Sequence, residues 1–491
     1  MMAARAISEK GMNKKTRYYI NAVIGIGIMF LFGTLPTFGP VTELGMKYLG
    51  IFIGLIWLWA TCDMSWPVFA AFTAMVFLQC CPVTTILAGF SNYTVMMTLL
   101  VMLACFPFAE KSGVFSYIAK WMLSLPFLKG HPWRLTAFLI LLSCIGTLLQ
   151  SGMVALLLVW SLTYKACDAV NMPHSCKWAG AVVCGTCWTM LSAAWLFPFS
   201  SSSLLVLGVF QGAVADLQYN FLKWMVFAGT IYAIIFVLYL LAMKFVIKVD
   251  VTPLKSGDFS GFFSELEPMS KEQKHYTTAL LAFIICMIVV GISASIPANP
   301  VTGFFARFGL LGICFVFVIL ALIWRKPDGS SVMSIGYVMN TTMWDAIMVV
   351  WCGMVFAGVL TSPETGISTL LAQILGTVFA GKSELFFLVI MCMVALVMTN
   401  LMNNAVVLML VFSFAYTIAM QFGINVEFLI MLIMFSTQFA ILMPGSSIGG
   451  ALLYGNAEEL GRNNCLLWGT TAMIIGAVAI VIMIFLGMVF Y

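Results

Sequence analysis

The chain has 491 residues, of which 63% are hydrophobic and only 8% are charged, and its net charge is +5. This composition excludes an ordinary soluble domain and places nearly the whole chain in lipid. The fourteen cysteines do not cluster in polar loops, so we interpret them as packed thiols rather than as a disulfide or metal framework.

Eleven apolar segments are predicted to span the membrane, after a basic tail at residues 1–17. The first segment is too long for the apolar region of a signal peptide, and no small-residue cleavage site follows it. Between Lys111 and Arg134, basic and apolar residues alternate as in a helix at the membrane interface, although an ordinary basic loop is the alternative. The predicted spans cover residues 18–35, 46–61, 66–82, 93–109, 177–208, 222–247, 277–296, 307–324, 343–360, 425–456 and 467–490.

Two further apolar segments, residues 135–164 and 384–416, are too long for one crossing and too short for two, because one crossing needs roughly 20 residues. Each has a polar cluster near its middle, Gln150-Ser151 in the first and Asn403-Asn404 in the second. We expect re-entrant hairpins whose tips reach the centre of the membrane, since irregular backbone at that depth has to line a cavity or be buried in protein.

Two of the predicted spans, residues 177–208 and 425–456, are interrupted at a proline. Proline removes a backbone donor, and glycine and serine loosen or re-bond a helix, so each segment is predicted to form two half-helices around an unwound stretch. A pair of such interruptions in corresponding halves of a chain points to the binding site of a transporter. The polar residues of the interruptions are Ser200, Ser201 and Ser202 in the first, and Gly445, Ser446 and Ser447 in the second.

A polar linker, residues 249–276, divides the chain into a first half, residues 18–248, and a second half, residues 277–491. Each half contains ordinary spans, a hairpin, a broken helix and a closing helix in the same order. The two broken helices are expected to run in opposite directions, as in an inverted repeat. The predicted fold class is therefore an all-α polytopic membrane protein with two re-entrant hairpins, two broken helices and about 11 spans.

The basic residues predict the orientation of the chain. When the spans are taken to alternate, only Lys47, Lys223, Arg307 and Lys382 of the 23 Lys and Arg fall on the side opposite the N-terminus. By the positive-inside rule, the N-terminus is cytoplasmic and the C-terminus lies outside, in the plasma (inner) membrane. The basic loops thus reflect membrane insertion, and no nucleic-acid partner is expected.

Four short segments resemble a known family when they are taken in order. They are residues 55–67, with three tryptophans and an acidic, proline-bearing turn; residues 89–95 and 109–113, around one span; and residues 399–405, which lead into the second hairpin tip. Together they resemble the divalent anion:sodium symporters, within the ion transporter superfamily that includes citrate carriers. The resemblance, which runs from about residue 45 to the end, implies an elevator-type secondary transporter, commonly a homodimer, with its substrate between the hairpin tips and the unwound segments.

The family resemblance also implies sodium ions as the only cofactor. Hairpin tips in the family read serine-asparagine-threonine and help form two sodium sites, whereas here Asn404 is followed by Ala405 and the first tip reads Gln150-Ser151-Gly152. The neighbourhood of Ser151, Asn404 and Gly445 is the sodium site that the resemblance implies. The hydroxyl residues expected on both sides of the central asparagine are missing from the second tip.

We expect a small anionic substrate at these tips and interruptions. Half-helix N-termini supply positive potential without a formal charge, and neither interruption contains Lys or Arg. The alternative is that small polar residues only allow close helix packing and satisfy broken backbone. The candidate substrate-binding residues are Gln150, Ser151, Ser200, Ser201, Ser202, Asn403, Asn404, Ser446 and Ser447.

The leading hypothesis is a secondary active transporter of small organic anions, di- or tricarboxylates, with sodium as a candidate coupling ion. Moving a dianion inward against 100 mV costs about 4.6 kcal/mol, so concentrative uptake requires accompanying cations. The alternatives are an exchanger or exporter of a less charged solute without sodium coupling, and a membrane receptor that does not transport. An enzyme is not expected, because the chain has no Ser-His-Asp set, metal cluster or phosphate loop.

Overall fold

The computed structural model describes residues 2–491 except 124, 126–127, 129, 150–151, 215–216, 256–267, 298, 326–328, 332, 343 and 380. The described residues before the central linker form eleven helices: α1 (Met2–Leu31), α2 (Glu43–Thr61), α3 (Trp66–Phe77), α4 (Val83–Phe90), α5 (Tyr93–Ser112), α6 (Val114–Leu123), α7 (Pro132–Leu148), α8 (Gly152–Ala169), α9 (Lys177–Ala193), α10 (Ser201–Ala213) and α11 (Phe221–Leu241).

A second set of eleven helices follows in the described residues after the linker. They are α12 (Lys271–Ser295), α13 (Pro300–Ile323), α14 (Ile335–Asn340), α15 (Trp344–Thr361), α16 (Ile367–Phe379), α17 (Glu384–Leu401), α18 (Asn404–Phe422), α19 (Val426–Ser436), α20 (Ile448–Gly455), α21 (Ala457–Leu460) and α22 (Arg462–Phe490).

Apolar helices of membrane-spanning length confirm the predicted fold class, an all-α polytopic membrane protein. Nine helices in the described part of the chain are long and apolar enough to cross a membrane, namely Lys15–Thr34, α2, α5, α8, Phe221–Val246, α12, α13, α17 and α22. Large apolar side chains are exposed along them, including Val23, Ile285, Val301 and Phe485. Such a belt is costly in water and favourable in lipid.

The count of spans differs in detail from the sequence prediction. The described helix α3 has only 12 residues, which is short for a crossing. In contrast, α8 and α17, which belong to the two hairpins, have 18 residues each and are long enough to cross. The length of its arms therefore does not determine the depth of a hairpin tip.

Each half of the chain contains a hairpin packed on an interrupted helix. In the first half α7 and α8 pack against each other and both contact α9. In the second half α17 and α18 pack against each other and both contact α19. The Ser143 hydroxyl on α7 donates to Thr186 O on α9 at 3.0 Å, and the Thr399 hydroxyl on α17 donates to Thr437 O after α19 at 3.0 Å. A hydrogen bond thus joins hairpin to interrupted helix in both halves.

In each interrupted segment, the first half-helix ends before the proline at which the interruption was predicted. The second interruption was expected at its proline, Pro444, but α19 ends at Ser436. The Thr399 hydroxyl donates to the carbonyl of Thr437, directly after the end of α19. Because this carbonyl accepts a hydrogen bond from a neighbouring helix, it does not need the backbone N–H that a further helical turn would supply. In the first interruption, Trp224 Nε1 donates in the same way to Trp195 O, at 3.0 Å, just after α9.

One other predicted boundary was wrong. Gly208 was expected to close the first broken helix, but it lies inside α10, where a Cβ would come 2.9 Å from Val350 of α15. Its role is therefore close helix packing. The span predicted to begin at residue 307 corresponds to the second part of α13, because the non-helical backbone of Gly309 (φ 69°, ψ 170°) divides this helix into two parts. The first part begins at Pro300, where Asn299 and Thr302 form a capping box.

Contacts between loops divide the described connections into the same two sides that the alternating spans predicted. On the side of the N-terminal tail, Trp66 Nε1 donates to Tyr18 OH at 2.8 Å, Tyr337 OH donates to Glu110 Oε2 at 2.8 Å, and His174 Nδ1 lies 2.7 Å from Glu459 Oε1. On the other side, Lys47 Nζ donates to Leu78 O at 3.1 Å and the Thr42 hydroxyl donates to Glu364 O at 2.9 Å. The assignment of one side to the cytoplasm remains a prediction from charge.

The turn before α16 gives a stability prediction with a matched control. Gly366 and Gly381 both have a φ of +67°, but a Cβ at Gly366 would lie 1.9 Å from Pro40 O, whereas nothing lies within 4 Å of a Cβ at Gly381. The left-handed conformation costs each alanine variant about 1–2 kcal/mol. Gly366→Ala should therefore lower the melting temperature of the purified protein clearly more than Gly381→Ala. Equal losses would contradict the close approach.

Candidate functional site

The two interrupted helices cross each other. The second half-helix of each interrupted helix packs on the first half of the other, since α20 contacts α9 and α10 contacts α19. The rings of Trp195 and Phe435 lie 5.2 Å apart, and a Cβ at Gly449 would lie 3.4 Å from Leu191. The two interruptions, which are about 250 residues apart in sequence, therefore form one region, which we call the shared region (residues 194–203 and 437–450).

The second hairpin tip is bound directly to the second interruption. Asn404 N donates to Ser446 O at 3.2 Å. Asn400, which is only 2% exposed, accepts a hydrogen bond from Leu442 N at 3.0 Å and donates to Leu396 O at 2.9 Å. The arm and tip of this hairpin thus hold the unwound backbone of residues 437–447 in place.

The serine hydroxyls of the shared region bind its own backbone. Ser447 is the N-cap of α20, accepting from Gly450 N at 3.0 Å and donating to Ala440 O. Ser446 donates to Ala440 O at 2.8 Å. Ser200 is the N-cap of α10, accepting from Ser203 N at 3.3 Å and donating to Ala194 O. In this conformation these three hydroxyls satisfy the broken backbone, the role that sequence reasoning gave as the alternative to substrate binding.

The remaining predicted site residues differ in their surroundings. Asn403, Asn404 and Ser202 are partly buried, and Gly445 is exposed with open space around it. Ser201 begins α10, and only its backbone is described. Gln150 and Ser151 lie outside the described residues. The structure therefore brings Asn404, Gly445 and the serines of the second interruption together.

A stripe of buried polar side chains next to the first interruption was missed by sequence reasoning. Trp188, Ser192 and Trp195 are fully buried or nearly so, and their side-chain N–H and O–H groups have no hydrogen-bond partner among the described residues. A polar group in this state is costly unless a water molecule or a polar ligand binds it. The three residues are spaced i, i+4, i+7, which places them on one face of α9 and its continuation. This spacing is the sequence signal from which the stripe could have been predicted.

The electrostatics of the shared region come from backbone dipoles. The sequence has no Asp, Glu, Lys or Arg between residues 186 and 213 or between residues 428 and 455. Both α10 and α20 begin in the shared region. The N–H groups at a helix N-terminus that have no partner within the helix attract negative charge. The arrangement is suited to a small anion with hydrogen-bonding oxygens.

A separate cavity of about 530 Å³ lies at the other end of α10, between α2, α4 and α15. It is lined by Tyr48, Cys80, Gln211 and the carboxylate of Glu364, among others. A carboxylate repels an anion at short range. This cavity therefore suits the proposed substrate class less well than the shared region does.

A histidine joins the first hairpin to the end of the second interrupted helix. His174 Nε2 lies 2.8 Å from Asp168 Oδ1 and His174 Nδ1 lies 2.7 Å from Glu459 Oε1. Burial lowers the pKa of His174, but the hydrogen bonds to Glu459 and Asp168 outweigh it, so the pKa is raised. Asp168 lies near the end of α8 and Glu459 lies in α21, so the two contacts of His174 tie the two halves together.

Comparison with known proteins supports the fold. No protein-family model matches the chain, and no curated protein matches it by sequence. Among solved structures, MtrF of Neisseria gonorrhoeae, described as illuminating a class of antimetabolite efflux pumps, is similar with a TM-score of 0.56 at 13% identity over 84% of each chain. The YdaH transporter of Alcanivorax borkumensis, described as having an unusual topology, has a TM-score of 0.56 at 14% identity, covering 85% of this chain and 88% of its own.

These likenesses define the class of the molecule: a multi-pass membrane protein with the fold of solved transporters. At 13% and 14% identity they show the fold alone. Membership of the divalent anion:sodium symporter family therefore stays a prediction from the sequence.

The hydrogen bond between Asn400 and the second interruption gives a testable prediction. Asn400→Leu removes the acceptor for Leu442 N in a buried place, which should cost about 1–3 kcal/mol of stability. The matched control is Asn463→Leu, since Asn463 is exposed on α22. Thermal unfolding of both purified variants measures the difference. Equal melting temperatures would contradict the role of Asn400.

The His174 contacts give a pH prediction. Because the folded-state pKa is raised above the ordinary 6.5, the stabilisation is fully present below about pH 6.5 and is lost as pH rises through the folded value. His174→Gln should therefore lower the melting temperature at pH 6 and change it little at pH 9. His275→Gln is the control for replacing a histidine. The His275 ring packs on the Trp324 ring, with 5.9 Å between the ring centres, instead of contacting Asp168 and Glu459 as His174 does. A His174→Gln effect on the melting temperature that is equal at both pH values would contradict stabilisation by the protonated form of His174.

Proposed function

We propose that this protein is a secondary active transporter of small organic anions, with di- and tricarboxylates as the leading substrates. The crossing of the two interrupted helices is the observation that carries the proposal. It brings the N-termini of α10 and α20 to one region that has no charged side chain in its sequence. Two helix N-termini can bind carboxylates at membrane depth without the cost of burying a cation, about 2.5–3.5 kcal/mol on insertion scales.

In this proposal the hairpins and interrupted helices move together as one body, in an elevator-type motion. The hydrogen bonds from Ser143 to Thr186, from Thr399 to Thr437 and from Asn404 to Ser446 support joint movement, because each joins a hairpin to its interrupted helix. A substrate held by the tip of one element and the backbone of the other then travels with both.

Sodium is the proposed coupling ion for uptake. The neighbourhood of Asn404 and Gly445 offers unwound backbone carbonyls, which are common ligands for Na⁺ in transporters of this kind. Gly445 is exposed with open space around it, and Asn404 N contacts the adjoining Ser446 carbonyl. The chain is further proposed to act as a homodimer in the plasma (inner) membrane, with its N-terminus cytoplasmic and its C-terminus outside, as its basic loops favour.

A second candidate is an exchanger or exporter of a less charged solute without sodium coupling. Two observations favour it. The fold is shared with MtrF, which is described with antimetabolite efflux pumps, and the second tip has an alanine after Asn404 where the predicted family has a hydroxyl residue. An exporter needs no sodium-driven accumulation, since an inside-negative potential favours the exit of anions.

Transport by the full-length protein in proteoliposomes tests the proposal. Labelled succinate, citrate and sulfate are offered with and without an inward sodium gradient, and counterflow is measured after preloading. Accumulation that needs sodium supports the symporter, and counterflow that ignores sodium supports the exchanger or exporter. Ligand-induced stabilisation without any transport by folded protein would contradict both and favour a receptor.

Asn404→Ala tests the sodium site separately. In the wild type, sodium should increase the thermal stabilisation that succinate or citrate provides, and in Asn404→Ala the sodium concentration for half of that effect should rise at least about tenfold, equivalent to about 1.4 kcal/mol. Asn463→Ala is the matched control on the surface. An unchanged sodium response in Asn404→Ala would remove the ion from the second tip.

A further inference from the structure

A basic cleft of about 660 Å³ lies at the end of the molecule that carries the N-terminal tail, away from the shared region. It is formed between the first turn of α7 and the segment that follows α11. Its lining contains the cations Arg134, Lys244, Lys248 and Lys255, together with His131. Asp250 is the one acid among the described residues of that lining. A cleft with this charge attracts anions.

The backbone after α11 explains why the lysines converge. The helix ends in a π-helical turn, Ala242–Val246, and Lys248 adopts a left-handed φ of 52°, which reverses the chain. The apolar side chains of Val249, Val251 and Leu254 are buried and anchor the returning segment. Lys244, Lys248 and Lys255 are left exposed along the cleft.

Asp250, the acid among the described lining residues, is engaged by the same turn. Asp250 Oδ1 accepts a hydrogen bond from Thr252 N at 2.9 Å, and this bond lowers the pKa of the carboxyl group. Among the described lining residues, one carboxylate therefore faces four basic side chains in the cleft. Their formal charges sum to a net positive charge.

The cleft adjoins an apolar edge that suits lipid. Leu241, Phe245 and Val246 are exposed by 44%, 61% and 77%. They lie on both sides of Lys244 in the sequence, at the end of α11. Lys244 Nζ lies 6.0 Å from the centre of the Trp133 ring in the lining and 5.2 Å from that of Phe245. Exposed apolar groups next to cations and a tryptophan are typical of the interface between headgroups and acyl chains.

We propose that this cleft binds the phosphate headgroup of an anionic phospholipid, whose acyl chains lie along Leu241, Phe245 and Val246. The cations select a phosphate that carries net negative charge, and the apolar edge selects a lipid over a soluble phosphate. The site lies on the side that the basic loops assign to the cytoplasm, where anionic lipids face basic segments of membrane proteins.

The experiment uses the full-length protein in a neutral detergent and measures its melting temperature during titration with phosphatidylglycerol. Phosphatidylcholine and inorganic phosphate are titrated in parallel. Lys244→Gln/Lys248→Gln removes two cations from the cleft. Lys271→Gln/Lys274→Gln removes two exposed lysines from the first turn of α12 and is the charge-matched control. Lys244→Arg/Lys248→Arg keeps the charge.

Phosphatidylglycerol should stabilise the wild type, the control and the arginine variant, and phosphatidylcholine should not. The glutamine cleft variant should need about 30-fold more phosphatidylglycerol, from about 1 kcal/mol per lysine near an anionic surface. Equal responses of the cleft and control variants would overturn the site. Stabilisation by inorganic phosphate as strong as that by the lipid would overturn the lipid and leave a soluble anion as the ligand.

Discussion

Where the two helices are interrupted, backbone N–H and C=O groups lose their partners within the helix. The rest of the structure depends on the constraint that these groups find hydrogen bonds elsewhere. A carbonyl or N–H without a partner costs several kcal/mol inside a membrane, and these interruptions expose many such groups. Thr399, Asn400 and Trp224 bind some of them from neighbouring helices, and Ser200, Ser446 and Ser447 bind others from within. The second hairpin and α11 thus stabilise the interruptions from outside.

This constraint also explains how a site can form without charged side chains. Because capping serines and hairpin arms satisfy the backbone, the N-termini of α10 and α20 can begin in the interior of the protein and present positive potential there. The serine hydroxyls contribute by positioning those half-helices in the conformation described. Side-chain groups of Trp188, Ser192 and Trp195 that have no partner among the described residues extend the polar character of the region towards α9.

Much of the fold could be predicted from the sequence, because hydrophobic length and basic loops are strong signals in membrane proteins. The hairpins and the existence of both interruptions followed from segment length and from proline with glycine or serine. The ends of α9 and α19 could not be predicted, since they depend on hydrogen bonds from Trp224 and Thr399 across the fold. Gly208 was misread for the same reason, because its contact with Val350 of α15 is tertiary. The second tip and the second interruption were grouped from the sequence and do contact each other, where Asn404 meets Ser446, but the capping role of individual serines needed the structure.

The two crossed interruptions are proposed to form one binding region for a small anion. A cryo-electron microscopy structure of the full-length protein with saturating succinate or citrate would locate that region. We expect ligand density between the N-termini of α10 and α20, next to Asn404. Density in the cavity lined by Tyr48 and Glu364 at the other end of α10, with the shared region empty, would contradict it.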